Sequence, residues 1–248
     1  METTLSDRSA WVRAGAVLAI VALAANIPYT ALIVMFDYDD VLRREPGEVL
    51  SLFAAGGTPL ILAWWGFALS SLGLAVGAAL VGDALKDGKG AISPSITMFG
   101  VLSGVLQAMA LLRWTFVIPG VAASYAAAAP GSAESAAAVG AYTTLNAYAG
   151  VAIGEHLGQL LLMVWTLGVG LALLKQGGAL RWIGAFGLAT LPVWSVGQTE
   201  LLSTVMPELP VIEVIPYAFM AWEVWLLVLG VAMIVRASAR RAVAGGAA

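Results

Sequence analysis

The sequence predicts an all-α fold, a bundle of six transmembrane helices with the N and C termini cytoplasmic. The first observation is composition: 60% of the 248 residues are hydrophobic and 11% are charged. Soluble domains average about 45–50% apolar and about 25% charged residues. So little charge cannot cover a water-soluble surface of this size, whereas a lipid-facing surface needs no polar cover. The second observation is that the apolar residues fall into six long runs.

Each apolar run is long enough for a helix that crosses the hydrocarbon core, which takes about 20 residues. The runs cover residues 14–36, 59–81, 96–119, 147–174, 182–205 and 214–235. They are apolar on every side, unlike the alternating strands of a barrel. A helix satisfies its own backbone polar groups in lipid. We therefore predict one integral membrane domain over residues 1–248.

The first run resembles a signal peptide, because basic residues precede it and Ala22-Leu23-Ala24 is similar to a cleavage site. Its apolar stretch of 23 residues exceeds the roughly 7–15 residues of a signal-peptide core. The stretch also continues past Ala24 to Phe36. We therefore predict that the first helix is retained.

The loops predict the orientation, because lysine and arginine mark the cytoplasmic side. Nine basic residues fall on one side: Arg8, Arg13, Lys86, Lys89, Lys175, Arg181, Arg236, Arg240 and Arg241. The other side has two, Arg43 and Arg44. Both termini are therefore expected in the cytoplasm. The bias toward arginine, alanine and glycine is typical of a GC-rich bacterial genome, so we expect a cell inner (plasma) membrane protein.

Two longer segments are expected on the outer side, residues 37–58 and 120–146. The first is charged and then apolar from Val49 onward. It is interpreted as a solvated loop with a hydrophobic tether, and the alternative is a short amphipathic helix on the outer surface. The second is expected to contain a turn, followed by an outward extension of the fourth helix that begins as early as Ser135.

Glycines recur at four-residue spacing, a pattern that lets helix backbones approach closely in lipid. The positions are Gly73 and Gly77, Gly100 and Gly104, and Gly150, Gly154 and Gly158. Packing within the chain explains this pattern. Homo- or hetero-oligomer formation through the Gly faces is the alternative.

Ionisable side chains inside the predicted helices are candidate site residues, because each costs at least about 2.5–3.5 kcal/mol at the bilayer centre. The candidate ligand-binding residues are Arg113, Glu155, His156, Gln159, Glu200 and Glu223. A helical rise of about 1.5 Å per residue places Arg113, His156 and Glu200 at a similar depth in the outer part of the membrane. Glu223 is expected closer to the membrane centre. We therefore predict an outward-facing polar pocket, in which Arg113 pairs with Glu155 or Glu200. The alternative is a buried ion-pair network.

Each candidate also has a structural interpretation. Arg113 and Glu200 could extend to the nearby interface, and His156 could make a structural hydrogen bond. Glu155, His156 and Gln159 are spaced to share one face of the fourth helix. Trp11, Trp114 and Trp182, close to helix ends, are interpreted as interface anchors.

No metal or cofactor is expected. The chain has no cysteine and one histidine, whereas a zinc site takes about three protein ligands. No phosphate-binding glycine loop or hydrolase motif occurs. Nucleic-acid binding has no support, because no basic stripe is present. The expected partners are the lipid bilayer and a small-molecule or lipid ligand.

Three phrases carry a family resemblance: Leu112-Arg113-Trp114 followed by Pro119, Gly154-Glu155-His156-Leu157-Gly158 leading to Trp165, and Leu180-Arg181-Trp182-Ile183-Gly184. Together they resemble bacterial multi-pass membrane proteins grouped as domain of unknown function 4386. The resemblance implies the multi-pass architecture and carries no mechanism. It makes Arg113, Glu155 and His156 the first positions to test.

Three function classes are open. The favoured one is a binding or transport-like protein that holds a small polar or lipid-derived ligand, since no catalytic constellation is recognisable. The second is a membrane-embedded enzyme that uses Glu155 or His156 for proton transfer, with Arg113 stabilising an anion. The third is a non-catalytic subunit of a membrane complex.

Overall fold

All regular elements of the described chain are helices. The computed structural model describes residues 2–38 and 40–245, and no strand occurs among them. The elements are α1 Glu2–Phe36, a 3-10 turn at Asp40–Arg43, α2 Pro46–Ala84, α3 Pro94–Phe116, α4 Ile118–Ala127, α5 Ala133–Leu145, a π-helical segment at Asn146–Leu157, α6 Gly158–Gln176, α7 Gly178–Ser203 and α8 Ile215–Gly245. The all-α prediction is confirmed. The side chains of Arg240 and Arg241 lie outside the described part.

Six helical stretches of the described chain are long and apolar enough to cross a membrane. They are Arg8–Phe36, Pro46–Ala84, Pro94–Ala127, Ala133–Gln176, Gly178–Ser203 and Ile215–Ala239. The fourth stretch joins α5, the π-helical segment and α6 without a break. The protein is therefore a multi-pass membrane protein with six spans, as predicted. The cytoplasmic position of its termini stays a prediction.

The turns follow the local sequence in two places. Ser132 begins α5 by accepting a hydrogen bond from the backbone N–H of Ser135 at 3.1 Å, as N-cap serines do. Gly177 and Gly178, with φ of 72° and 58°, connect α6 to α7 in a conformation that favours glycine. The predicted extension of the fourth helix is confirmed, and it begins at Ala133. Its position on the outer side of the membrane stays a prediction.

The third helix ends earlier than predicted. Residues 96–119 were expected as one helix, but α3 ends at Phe116 and α4 begins at Ile118. Pro119 lies in the first turn of α4, where its missing N–H costs no hydrogen bond. The proline is therefore compatible with the start of a new helix and not with the interior of the old one.

The interpretation of residues 37–58 as a solvated loop was wrong. α2 already begins at Pro46, and Val49, Leu50 and Phe53 are buried. Their spacing places them on one helical face. The physical reason is that this apolar face packs into the protein rather than resting as a tether on the surface.

Gly57 kinks α2, because its φ of 56° and ψ of −152° are not helical. This region of backbone conformation is essentially restricted to glycine. We expect Gly57→Ala to lower the free energy of unfolding by about 1–3 kcal/mol, the usual cost of such strain. The measurement is reversible unfolding in mixed detergent micelles.

The control for this prediction is Gly140→Ala in α5. An added Cβ at Gly140 meets nothing within 4 Å, and alanine is the better helix former by about 0.5–1 kcal/mol. A Gly57→Ala protein as stable as the Gly140→Ala protein would contradict the strain at the kink.

The chain divides into two compact units. The first unit comprises Met1–Leu23, Leu72–Gly104 and Gln159–Ala248, and the second comprises Ala24–Ser71 and Val105–Gly158. The boundaries fall inside α1, α2, α3 and the fourth span. The single membrane domain over residues 1–248 stays a prediction.

Three tryptophans form the centre of the first unit. The ring centroids of Trp165, Trp222 and Trp225 lie 5.9–6.4 Å apart. Trp222 Nε1 donates to Thr166 Oγ1 at 2.9 Å, and Trp225 Nε1 donates to the carbonyl of Ile183 at 2.9 Å. These bonds satisfy two of the buried indole N–H groups.

The predicted glycine faces contact side chains of this same chain. In the first unit, Gly73 faces Val21, Gly77 faces Leu18, and Gly100 faces Trp165. A Cβ at any of these glycines would overlap its neighbour. Packing within the chain is therefore confirmed for these positions, and oligomer formation through the Gly faces stays a prediction.

Candidate functional site

A glycine face in the second unit positions the candidate arginine. Gly150, Gly154 and Gly158 face, in that order, Arg113, Ala110 and Gln107 of α3. The three α3 positions are three residues apart, so they lie on one face of that helix. The missing side chains let the two helices approach closely. This approach brings the Arg113 guanidinium against the backbone of Gly150.

Arg113 is buried and held by two hydrogen bonds. Arg113 is 6% exposed. Nη1 donates to the carbonyl of Ala110 at 2.7 Å, and Nη2 donates to Asn146 Oδ1 at 3.0 Å. The interpretation that Arg113 extends to the membrane interface is therefore wrong, because the surrounding protein binds its guanidinium.

Glu155 is the acidic residue of the second unit that attracts Arg113. The carboxylate of Glu155 interacts electrostatically with the guanidinium, and Glu155 is half-buried on the π-helical segment. His156 follows it on the same segment and is also half-buried. The structure thus brings together Arg113, Glu155 and His156 in one unit.

An aromatic cluster surrounds the arginine. The Arg113 Cζ lies 5.2 Å from the centroid of the Trp114 ring, within cation–π distance. Trp114 stacks on Trp64 with centroids 4.7 Å apart and an interplanar angle of 10°. The Tyr142 ring lies 6.0 Å from Trp114. Trp114 therefore contacts each of the other three side chains.

The prediction that Trp114 is an interface anchor was wrong. Trp114 is 1% exposed, because it packs among aromatic side chains of the second unit. Trp11 is also buried, at 5%. Trp182 is 69% exposed, as an interface anchor would be.

Three buried hydrogen-bond donors of this cluster have no acceptor within the described residues. They are Arg113 Nε, Tyr142 Oη and Trp64 Nε1. Their residues are between 0% and 6% exposed. An unmade hydrogen bond at a buried donor costs about 1–3 kcal/mol, and more for a charged group. Such groups call for an explanation, and an unseen acceptor is one.

The other three predicted site residues lie in the first unit. Gln198 Nε2 donates to Gln159 Oε1 at 2.6 Å, and both amides are buried. Glu200 and Glu223 are 5% and 6% exposed. Glu200 therefore does not extend to the membrane interface. Glu223 Oε2 has no hydrogen-bond partner among the described residues.

The six predicted residues thus divide between the units. Arg113, Glu155 and His156 belong to the second unit, and Gln159, Glu200 and Glu223 to the first. Glu155 attracts Arg113 electrostatically, and the predicted pairing of the two side chains stays a prediction. Among the described residues, no group of three histidine, aspartate or glutamate side chains is placed to hold a metal ion.

Sequence reasoning missed Tyr142, Asn146 and Trp64. Tyr142 and Asn146 precede Gly150 at four-residue spacing, so they continue the glycine face toward the N-terminal end of the span. That continuation was the available signal. It lies within residues 120–146, which the sequence predicts as a turn followed by a helical extension.

Gly150→Ala is expected to displace the Arg113 side chain, since the new Cβ would overlap Nη2. The hydrogen bond to Asn146 would lengthen or break. We expect a loss of about 2 kcal/mol in the free energy of unfolding, the middle of the range for overpacking. A thermal unfolding curve in detergent, compared with that of Gly140→Ala, measures it. Identical midpoints for the two variants would refute the contact.

Comparison with known proteins places the chain in a family. No curated protein and no solved structure matches it. The family model described as "Domain of unknown function (DUF4386)" matches residues 13–230, and this is most of the chain. The chain therefore belongs to the DUF4386 family.

Proposed function

We propose that this protein binds a small polar or lipid-derived ligand at the Arg113 cluster, as a binding or transport-like protein of a bacterial inner membrane. The Arg113 cluster comprises Arg113, Tyr142, Asn146, Trp64 and Trp114. The observation that carries the proposal is the set of three buried donors without acceptors among the described residues. In this proposal the cluster opens toward the outside.

The donors define the chemistry of the ligand. An arginine offers its N–H groups in a planar fork that matches a carboxylate or phosphate. Nη1 and Nη2 each use one of their two N–H groups for Ala110 and Asn146, so Nε and a second N–H group of the fork are the donors for the ligand. Tyr142 and Trp64 add neutral donors. The ligand therefore presents acceptor oxygens, and the indole faces of Trp64 and Trp114 suit an apolar part.

The test is native mass spectrometry of the protein purified in mild detergent, with the wild type compared to Arg113→Lys. Lysine keeps the positive charge but lacks the planar set of N–H donors of the guanidinium. We expect a small molecule on the wild type and its loss from Arg113→Lys. The matched control is Arg44→Lys in the same unit, where Arg44 pairs with Asp37 and Glu48 on the surface.

The outcomes separate the function classes. A wild-type protein that carries no small molecule and retains another polypeptide would overturn the ligand proposal and favour a subunit of a membrane complex. Loss of the molecule from both Arg113→Lys and Arg44→Lys would also overturn the ligand proposal, because the effect would then not depend on the buried guanidinium of Arg113.

A second candidate function is a membrane-embedded enzyme with Glu155 or His156 as the acid–base group. The specific observation is that both residues lie on the π-helical segment Asn146–Leu157. π-Helical segments are rare in proteins overall, and those that occur are frequently found at functional sites. A retained molecule that is chemically converted by the wild type but not by Glu155→Gln or His156→Ala would favour catalysis over binding.

A further inference from the structure

Glu223 carries a buried carboxyl group within the last span of the first unit. It lies in the third turn of α8, inside the membrane-spanning stretch Ile215–Ala239, and it is 6% exposed. Its Oε2 atom has no hydrogen-bond partner among the described residues. Glu223 does not belong to the Arg113 cluster, so an inference about this residue is independent of the proposed function.

One side of Glu223 faces the first helix of the same unit. Gly230 lies two turns further along α8 on the same face as Glu223. Gly230 packs against the backbone of Gly15 and Ala19 in α1. That part of α1 has no ionisable residue between Ala14 and Leu23. The surface that α1 presents here is therefore apolar.

Two further helices of the first unit pack against α8 close to Glu223. The indole of Trp222 donates to Thr166 Oγ1 of α6, and the indole of Trp225 packs against Gly187 of α7. Both indoles are fully or almost fully buried. The residues that flank Glu223 along α8 therefore bind neighbouring helices, and they enclose its carboxyl group in protein.

The ionisable residues of these helices lie far from the level of Glu223. The contacts above set the register of each helix pair, and a rise of about 1.5 Å per residue gives an axial separation of about 12 Å or more for Arg13 in α1, Lys175 in α6, Arg181 and Glu200 in α7, and Arg236 in α8. Tyr217 of α8 is closer, but it is 66% exposed and points away. Accordingly, no charged side chain of the described residues acts on the Glu223 carboxyl group.

A carboxylate in such surroundings is unfavourable. An ionised carboxylate that leaves water without a partner loses so much hydration free energy that it takes up a proton instead. The carboxylic acid that results is neutral. Carboxyl groups held inside membrane spans mark pathways of protons and other ions.

We propose that Glu223 is a proton-binding site in the sixth span, occupied by a proton while its carboxyl group is enclosed by α1, α6 and α7. Binding converts the carboxylate into a neutral carboxylic acid, and release returns the proton to water. The burial of Glu223 and the unpartnered Oε2 atom carry the proposal.

The test uses dicyclohexylcarbodiimide, an apolar reagent that modifies protonated carboxyl groups in lipid surroundings. The protein is reconstituted in phosphatidylcholine vesicles, treated over a series of pH values and digested with trypsin. Cleavage after Arg181 and Arg236 gives one peptide that contains Glu200, Glu208, Glu213 and Glu223. We expect mass spectrometry to locate the modification on Glu223 at neutral pH and to show its decline as the pH is raised. Glu213, which is exposed, should stay unmodified.

Two variants serve as a matched pair, because each removes one buried carboxyl group of the first unit. Glu223→Gln should abolish the modification and Glu200→Gln should keep it. Infrared spectroscopy of the wild type provides a measurement that does not depend on the folding of a variant. We expect a carboxylic acid C=O band that disappears at alkaline pH.

Three results would overturn the proposal. The first is the absence of both the modification at Glu223 and the titrating infrared band. The second is a modification that Glu223→Gln retains in full. The third is protection of Glu223 by sodium chloride but not by choline chloride at constant pH, because the carboxylate would then bind a metal cation in place of a proton.

Discussion

Arg113→Gln is expected to lower the free energy of unfolding by about 3 kcal/mol, and adding Glu155→Gln is expected to restore part of that loss. Removal of one partner of a buried charge pair costs about 3–5 kcal/mol, because the other charge stays without compensation. Glu155 is half-buried, which places the effect at the low end of that range. Glutamine at position 155 removes the carboxylate that attracts Arg113.

A double-mutant cycle measures this coupling. Four proteins are unfolded reversibly in mixed micelles: the wild type, the two single variants and the double variant. The double variant should be more stable than Arg113→Gln alone. Strict additivity of the two single effects would show that Arg113 and Glu155 do not interact.

The surface pair of Arg44 provides the control for the cycle. Arg44 Nη1 contacts Glu48 at 2.9 Å, and both side chains are substantially exposed, at 34% and 52%. Exposed pairs contribute about 0–1 kcal/mol. Arg44→Gln should therefore cost much less than Arg113→Gln. A similar cost for both would show that burial is not the source of the effect.

Trp114→Ala is expected to cost about 3 kcal/mol, again in reversible unfolding. Its indole stacks on Trp64 and Phe53, with centroids 4.7 Å and 5.6 Å away, and supports the guanidinium of Arg113. Replacement of a buried tryptophan by alanine costs about 3–5 kcal/mol in soluble proteins. We expect the lower value because lipid-embedded helices lack part of the hydrophobic term and depend on packing.

Trp182→Ala is the matched control, since Trp182 is 69% exposed and Trp114 is 1% exposed. We expect less than about 1 kcal/mol for it. Trp114→Phe should recover part of the loss by refilling some of the cavity. If Trp182→Ala were the more damaging variant, the buried aromatic cluster would not be a source of stability in the second unit.

The six spans could be predicted because lipid insertion depends on local composition. Each span carries enough consecutive apolar residues to cross the membrane, and no distant contact is needed to recognise it. The extension of the fourth helix was predictable for a similar reason, since Ser132 caps it locally. The early start of α2 was missed because burial of Val49, Leu50 and Phe53 depends on neighbours that are distant in sequence.

The candidate site was predictable only in its charged members. Arg113, Glu155 and His156 were recognisable because ionisable groups are costly at membrane depth. Tyr142, Asn146 and Trp64 are not ionised, so they do not carry the high free-energy cost at membrane depth that makes charged residues recognisable in the sequence. Their part in the site follows from contacts with Trp114 and Arg113.

The sequence by itself determined the all-helical class, the six spans and the chemistry available inside them. The tertiary structure decided which side chains meet. Arg113 and Asn146 are 33 residues apart in sequence, Gln159 and Gln198 are 39 apart, and Thr166 and Trp222 are 56 apart. The physical reason is that entry into lipid is favoured segment by segment, whereas helix pairing depends on the fit of two distant surfaces. Glycine at position 150 makes room for Arg113, and this consequence appears only when both helices are in place.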